Sequence, residues 1–366
     1  MTKRKLFYFI SSVLPNASKS GGEVILHRHF EERKDFDFSI IDIPIQKPKW
    51  IKRLETTRFR SYILALQPFY TSYDIGFLSQ LQKPNFIVTV AHDRQCYAAA
   101  KAAAYWNVPL VTFFHDWYPA SSGAHPKLWM FLNREFIKLH RQSTLSLCVS
   151  EQMKSALGEH DNSIVLSPIS SYIDINNIEQ KSTEQLHHLP TILYAGLCGG
   201  AYKDMLQMVV DKVVDAKIII AGANSSDVIA KNSNIQIFGF LQKNDLALKF
   251  IQSDILLVIL NFNQHNKLHF STHFPSKLIE YVGKGKMIAI WGPSYATAVQ
   301  WAKETGAAFY YEQQDVEGLL SGIMSVYANT EQRNFFIQNA TKLYHEKYNP
   351  DLIDGLLKQK LNELVC

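Results

Sequence analysis

The stretch HFPSKLIEYVGKGKMIAIWGP, residues 273–293, decides how the chain is organised. Pro275, Leu278, Ile279 and Val282 fall at i, i+3, i+4 and i+7, the inward face of an amphipathic helix. Pro275 suits the first helical turn, where its missing N–H costs nothing. Gly283 or Gly285 can end the helix in a left-handed conformation. The apolar run KMIAIWG then reads as a strand buried on both faces.

Working outward, the same alternation recurs. KLFYFISSV reads as a first strand, followed by a loop with Gly21 and Gly22 and a helix from Glu23 to Arg33. FDFSIIDI, NFIVTVA, VPLVTFFH and LSLCVS are further apolar runs of strand length, and the Ala-rich CYAAAKAAAYW is a helix between two of them. The segment SPISSYIDINNIEQKSTEQLHHLP is polar and aperiodic and reads as a crossing between domains. After it the alternation restarts with TILYAG, DMLQMVVDKVV, AKIIIAG, IQIFGF, LALKFIQSD and ILLVIL, and continues past the opening stretch with AVQWAKETG and AAFYY. This predicts an α/β protein of two Rossmann-like doubly wound domains, residues 1–170 and 188–350. The amphipathic segment 351–366 is expected to pack back on the first domain. Parallel sheets bind ligands outside the carboxyl ends of their strands, so the expected site is a cleft where two such edges face each other.

With 366 residues, 47% hydrophobic and 19% charged, the chain has the composition of two packed cores rather than of a disordered protein. Cys96, Cys148, Cys198 and Cys366 have neither metal-ligand nor redox spacing. The start, MTKRKLFYFISSV, is basic and then apolar, but its apolar run is too short for a secretory signal and reads as a strand. No run reaches the roughly 18 apolar residues of a membrane span, so a cytoplasmic protein is expected. The net charge of +5 is mild and does not suggest a nucleic-acid partner. The excess is uneven: Lys47, Lys49, Lys52, Arg53, Arg58 and Arg60 share residues 47–62 with Trp50, Phe59 and Tyr62, against Glu55 alone. Such a window suits an anionic membrane surface; a solvated helix face is the plainer reading.

Strand ends carry the candidate chemistry. Ser276 opens the helix of the quoted stretch, where unpaired N–H groups attract an anion. Glu280, one turn on and off the apolar stripe, would then accept hydrogen bonds from the two hydroxyls of a ribose; a solvent-facing helix residue is the plainer reading. His115 and Asp116 end the strand VTFF, and His92 and Asp93, after NFIVTVA, rival them. His27, Arg28 and His29 lie on the first helix and are expected at the surface. His265, His269 and His273 are spaced by four, but in loop composition without a nearby carboxylate; a lid is expected there, not a metal site.

FPSKLIEYVGKGKMIAI resembles the signature of retaining glycosyltransferases of the two-domain GT-B fold, especially glycosyltransferase family 4, and the layout resembles theirs over nearly the whole chain. The resemblance implies that Glu280 binds the nucleotide ribose, that Pro275 and Ser276 lie beside the diphosphate, and that Lys277 adds charge there. TILYAGLCGGAYKD resembles the family's strand, glycine-rich loop and lysine, implying close approach of the donor at Gly196 and diphosphate neutralisation by Lys203. IQIFGF resembles the turn that meets the base through main-chain groups, at Phe238, Gly239 and Phe240. SKSGGEV resembles the glycine loop facing donor and acceptor, at Gly21 and Gly22. VTFFHDWYP resembles the strand end that faces the transferred sugar, at His115 and Asp116. Thr272 and Leu197 stand where the family usually has a glutamate and often an arginine.

The implied activity is hexosyl transfer from a nucleotide-diphosphate sugar, as co-substrate, to a glycan or lipid-linked acceptor. It would proceed with retention and without metal or cofactor, in surface polysaccharide assembly, peripherally at the inner face of the cell membrane. His115, Asp116 and Lys203 would be its catalytic residues. A sugar-nucleotide epimerase of the same fold and a catalytically inactive GT-B scaffold remain alternatives.

Overall fold

A computed structural model describes residues 5–16, 22–32, 35–170, 189–222 and 224–365. Gly21 and residues 171–188 of the polar crossing lie outside the described residues. The chain divides into two compact units. The first comprises Met1–Pro168, Ser271–Phe274 and Ile353–Cys366, the second Ile169–Phe270 and Pro275–Leu352. The second unit therefore lacks the short segment 271–274, which the reading of 188–350 as one domain had included.

In the first unit the strands are β1 (Lys5–Phe9), β2 (Phe36–Ile40), β5 (Phe86–Val90), β6 (Leu110–Phe114), β7 (Leu145–Cys148) and β8 (Ser163–Val165), in the order β2-β1-β5-β6-β7-β8 and parallel throughout. A small antiparallel pair, β3 (Ile45–Gln46) and β4 (Ser72–Tyr73), stands apart from it. β5, β6 and β7 are buried along their whole length, as central parallel strands covered on both faces must be. The order reverses at β1, whose neighbours β2 and β5 lie on opposite sides. Ligand-binding loops of open sheets gather at the carboxyl ends beside such a reversal.

The second unit holds β9 (Thr191–Ala195), β10 (Lys217–Ala221), β11 (Ile235–Phe238), β12 (Ile255–Ile259), β13 (Met287–Trp291) and β14 (Phe309–Tyr311). Their order, β11-β10-β9-β12-β13-β14, is that of a doubly wound dinucleotide-binding sheet. Here the reversal falls between β9 and β12, and it selects the loop after β9 and the segment after β12. Trp291, Tyr194, Ile218, Leu257 and Ile323 are among the side chains that close its core.

One local expectation changes, and one open alternative is decided. The first helix runs Gly22–Leu26 and continues as a π-turn over His27–Glu31. His29 is not at the surface: it is fully buried, its ring edge-on to Phe113 of β6 at 6.0 Å, because the π-turn rotates it toward the sheet. His27 does stay near solvent, paired with Glu31 at 2.5 Å. Gly283 caps the helix Ser276–Val282 with φ −87°, so no left-handed turn occurs there; that turn is at Gly285, φ +62°. Gly283 is small for a packing reason, since a Cβ would stand 2.7 Å from the Tyr344 ring.

Candidate active site

The loop after β9 reads Gly196-Leu197-Cys198-Gly199-Gly200 and opens the 12-residue helix Ala201–Lys212. Gly196 donates its N–H to the Ala221 carbonyl at 2.8 Å, and Gly222 lies so close that a Cβ there would stand 1.8 Å from the Gly196 oxygen. The ends of β9 and β10 thus meet backbone to backbone. Gly200, φ +61°, turns the chain into the helix with open space around it.

Lys277 comes to this loop from the segment after β12. Tyr281, one turn further along the same helix, accepts the Ala195 N–H on its hydroxyl at 2.9 Å and fixes the helix to the end of β9. Lys277, on the same face, is thereby brought against Gly196: a Cβ on that glycine would lie 2.8 Å from the lysine Nζ. The ammonium donates to the Tyr194 hydroxyl at 2.9 Å and sits over the rings of Tyr194, at 4.2 Å, and Tyr202, at 5.4 Å. It has no carboxylate partner among the described residues. Burial pushes its pKa down to about 8, countered weakly by Cys198. Lys203 is exposed on the helix that follows. The cation adjoining Gly196 is Lys277.

Pro275 immediately precedes the helix, with Ser276 its first residue. Glu280 is largely shielded, its side chain 16% exposed, and pairs with the buried Lys284 at 3.2 Å; it is not a solvent-facing helix residue. Phe238 ends β11 under Lys249, 4.3 Å from its ring, and the Gly239 carbonyl accepts the Gly222 N–H at 3.1 Å. Phe240 follows, exposed. Leu197 is exposed too, its carbonyl taking the Tyr194 hydroxyl at 2.6 Å. Thr272 is buried in the first unit, its carbonyl accepting from Ser150 Oγ at 2.6 Å.

In the first unit a second cluster forms at the end of β6. His115 Nε2 lies 3.1 Å from Asp116 Oδ2, and His273 Nδ1 lies 2.8 Å from Asp116 Oδ1, both at ion-pair distance. Burial alone would lower the His115 pKa, but the Asp116 charge and hydrogen bond hold it above its ordinary value. Burial would raise Asp116; His115 and His273 together hold it well below the usual carboxylate range. The His115 ring stacks on Phe113 at 5.9 Å, and its Nε2 would meet a Cβ at Gly22 at 3.1 Å. Gly22 is therefore a point of close approach between the first helix and His115. His92 lies 6.2 Å from His115, centroid to centroid; burial and the His115 charge lower its pKa.

Sequence reasoning paired His115 with Asp116, and the two meet. It missed Tyr194 and Tyr281, which place Lys277, and the expectation of no carboxylate near His269 and His273 is corrected: Asp116, distant in sequence, stands with both, their ligand atoms within 4.8 Å of one another. A tyrosine inside an otherwise aliphatic strand, as in TILYAG, is the available signal, because a buried hydroxyl seeks a partner.

Residues 18–166 match the family model described as Glycosyltransferase Family 4. No curated protein sequence matches the chain. Among solved structures it is similar to Anabaena Alr3699/HepE in complex with UDP-glucose, with TM-score 0.65, 14% identity, and 99% of this chain and 100% of that one covered. WaaG, a glycosyltransferase involved in lipopolysaccharide biosynthesis, gives TM-score 0.58 at 11% identity over 97% and 99% of the two chains. A UDP-N-acetylglucosamine 2-epimerase described as putative, from Listeria monocytogenes, gives 0.57 at 12% over 99% and 96%. On these findings residues 18–166 match the Glycosyltransferase Family 4 model, and the chain as a whole has the two-domain fold of these solved structures.

Proposed function

We propose that the protein transfers a sugar from a nucleoside-diphosphate sugar to a glycan or lipid-linked acceptor, with retention and without a metal, in surface glycan assembly. The observation that carries this reading is Lys277, a shielded ammonium with no carboxylate partner among the described residues, at the first glycine of the loop Gly196–Gly200. A desolvated charge is costly without a counter-ion, and a diphosphate would supply one. The N-terminus of the helix Ala201–Lys212 would add a positive dipole end to the same loop. The relative solved with UDP-glucose supports a uridine donor.

As the bond from the anomeric carbon to the diphosphate oxygen breaks, negative charge builds on the leaving group. A fixed cation and aligned N–H groups stabilise it most when it is fully formed. In a front-face displacement the acceptor oxygen bonds to the same face of that carbon, and its proton passes to the departing diphosphate. No protein nucleophile is needed. Glu280 would take the ribose hydroxyls, sharing its carboxylate with Lys284. His115, oriented by Asp116, would serve the transferred sugar. Trp50, Phe59 and Tyr62, exposed among Lys52, Arg53 and Arg58, would meet the anionic inner face of the cell membrane. Epimerisation of a nucleotide sugar is the second reading, favoured by the 2-epimerase neighbour.

Thermal unfolding with UDP, GDP, ADP and CMP tests the proposal on wild type and Glu280→Gln. A ligand held only by the folded state raises the melting temperature. One diphosphate should stabilise the wild type, with a smaller effect in the variant. No response to any of them at millimolar concentration would end the reading. Turnover of the donor without acceptor to an isomeric nucleotide sugar would favour the epimerase.

A further inference from the structure

The first unit contains a cavity of about 750 Å³ whose lining includes Lys47, Glu55, Arg60, His92, Asp93 and Arg94. At its heart is Arg94, 8% exposed. The guanidinium is locked: Nε donates to Gln67 Oε1 at 2.6 Å, and Nη2 donates to Glu55 Oε1 at 3.0 Å and more loosely to the Tyr70 hydroxyl at 3.5 Å. Its third nitrogen, Nη1, takes no partner among the described residues and is not sealed from solvent. Lys47 bonds the other oxygen of Glu55. That carboxylate thus holds two cations and is used up between them. Arg60 lines the same cavity with no carboxylate partner among the described residues.

Arg94 also immediately precedes the 12-residue helix Gln95–Trp106, which has no side-chain cap at this end. The first intrahelical bond runs from Tyr97 N–H to the Arg94 carbonyl, which leaves the amides of Gln95 and Cys96 to other partners. A fixed guanidinium with an unused edge and a second arginine therefore line one polar space. His92 forms part of its wall and lies beside His115. Ser121 and Ser122 add hydroxyls at the rim.

We propose that this cavity binds a phosphate or pyrophosphate group carried by the acceptor, with Arg94 Nη1 and Arg60 as its charged ligands. The assignment rests on the transferase reading and narrows it: the acceptor is phosphorylated. Arginine suits the role, since its planar fork matches phosphate oxygens. A diphosphate ester on a lipid and a soluble sugar phosphate share this chemistry.

Calorimetric titration of the full-length protein with inorganic pyrophosphate, glucose 6-phosphate, a short isoprenyl diphosphate and glucose, each with and without saturating UDP, tests the proposal. Pyrophosphate and at least one ester should bind in the presence of UDP, and glucose should not. Arg60→Ala, at an exposed position where folding is not at stake, should weaken that binding about tenfold, as loss of a charged hydrogen bond does. Arg94→Gln should do the same, and both variants should bind UDP as the wild type does. Tighter binding of the isoprenyl diphosphate would identify a lipid-linked acceptor, tighter binding of glucose 6-phosphate a soluble one, and either supports the site. Displacement of pyrophosphate by UDP, unchanged affinity in Arg60→Ala, or no binding at millimolar concentration would overturn it. Failure of UDP itself to bind would strike the donor reading and leave the phosphate result standing.

Discussion

At the scale of single residues, Lys277 and Asp116 carry opposite kinds of burden. Burial pulls the Lys277 pKa to about 8, below the ordinary lysine value, so the unfolded chain holds this proton more tightly. The ligand-free protein should gain stability as pH rises from about 8 toward the ordinary value. Lys277→Met should remove that rise, stabilise the ligand-free protein at neutral pH by about 2 kcal/mol, and abolish the response to nucleotide; urea unfolding with and without UDP measures all three. In the wild type, UDP affinity should fall as pH climbs past about 8, since the ammonium is what a diphosphate meets. Lys203→Ala should leave UDP binding nearly intact. Asp116 is held low, so its contribution is whole above the ordinary aspartate range and lost as pH falls through its folded value. His115 is held high, so its contribution is whole below the ordinary histidine range and lost as pH rises through its folded value. The pair should therefore stabilise the fold most between about pH 4 and 6.5, and Asp116→Asn should cost about 3 kcal/mol there and flatten both limbs of the stability profile.

At the scale of elements, the glycines of β9 and β10 separate two kinds of close approach. At Gly222 an added Cβ meets the Gly196 carbonyl, which is backbone and cannot move aside. Gly222→Ala should cost more than about 3 kcal/mol, read as loss of the folded second unit by circular dichroism. At Gly196 the close contacts of the Cβ are with the end of the Lys277 side chain, which can shift where backbone cannot. Gly196→Ala should fold more readily than Gly222→Ala and should lose nucleotide binding. The elements themselves were legible because central parallel strands are apolar on both faces: FIVTV and LVTFF stand out in any composition. What joins elements was not legible. Lys203 follows a glycine-rich loop at the expected spacing, yet its helix turns it to solvent. Lys277 reaches that loop only because Tyr281, 86 residues beyond Ala195, ties one helix to another strand end. The link from Glu55 to Arg94 spans 39 residues and carries no local signal.

At the scale of the whole molecule, two separate cores and a helix that changes allegiance set the expectations. The helix Pro350–Glu363 begins among residues of the second unit and passes to the first at Ile353. Ile353, Leu357 and Leu361 are buried at four-residue spacing. Leu357→Ala should destabilise the first unit by about 2–4 kcal/mol and leave nucleotide binding in the second unchanged. No described helix is long and apolar enough to cross a membrane. The central claim is that a nucleoside diphosphate sits between the Gly196 loop and Lys277. Hydrogen exchange of the full-length protein with and without UDP tests it most directly. The account predicts slowed exchange in the peptides covering Gly196–Lys203 and Phe274–Glu280, absent in Lys277→Met. Protection elsewhere with these two segments unchanged would contradict it.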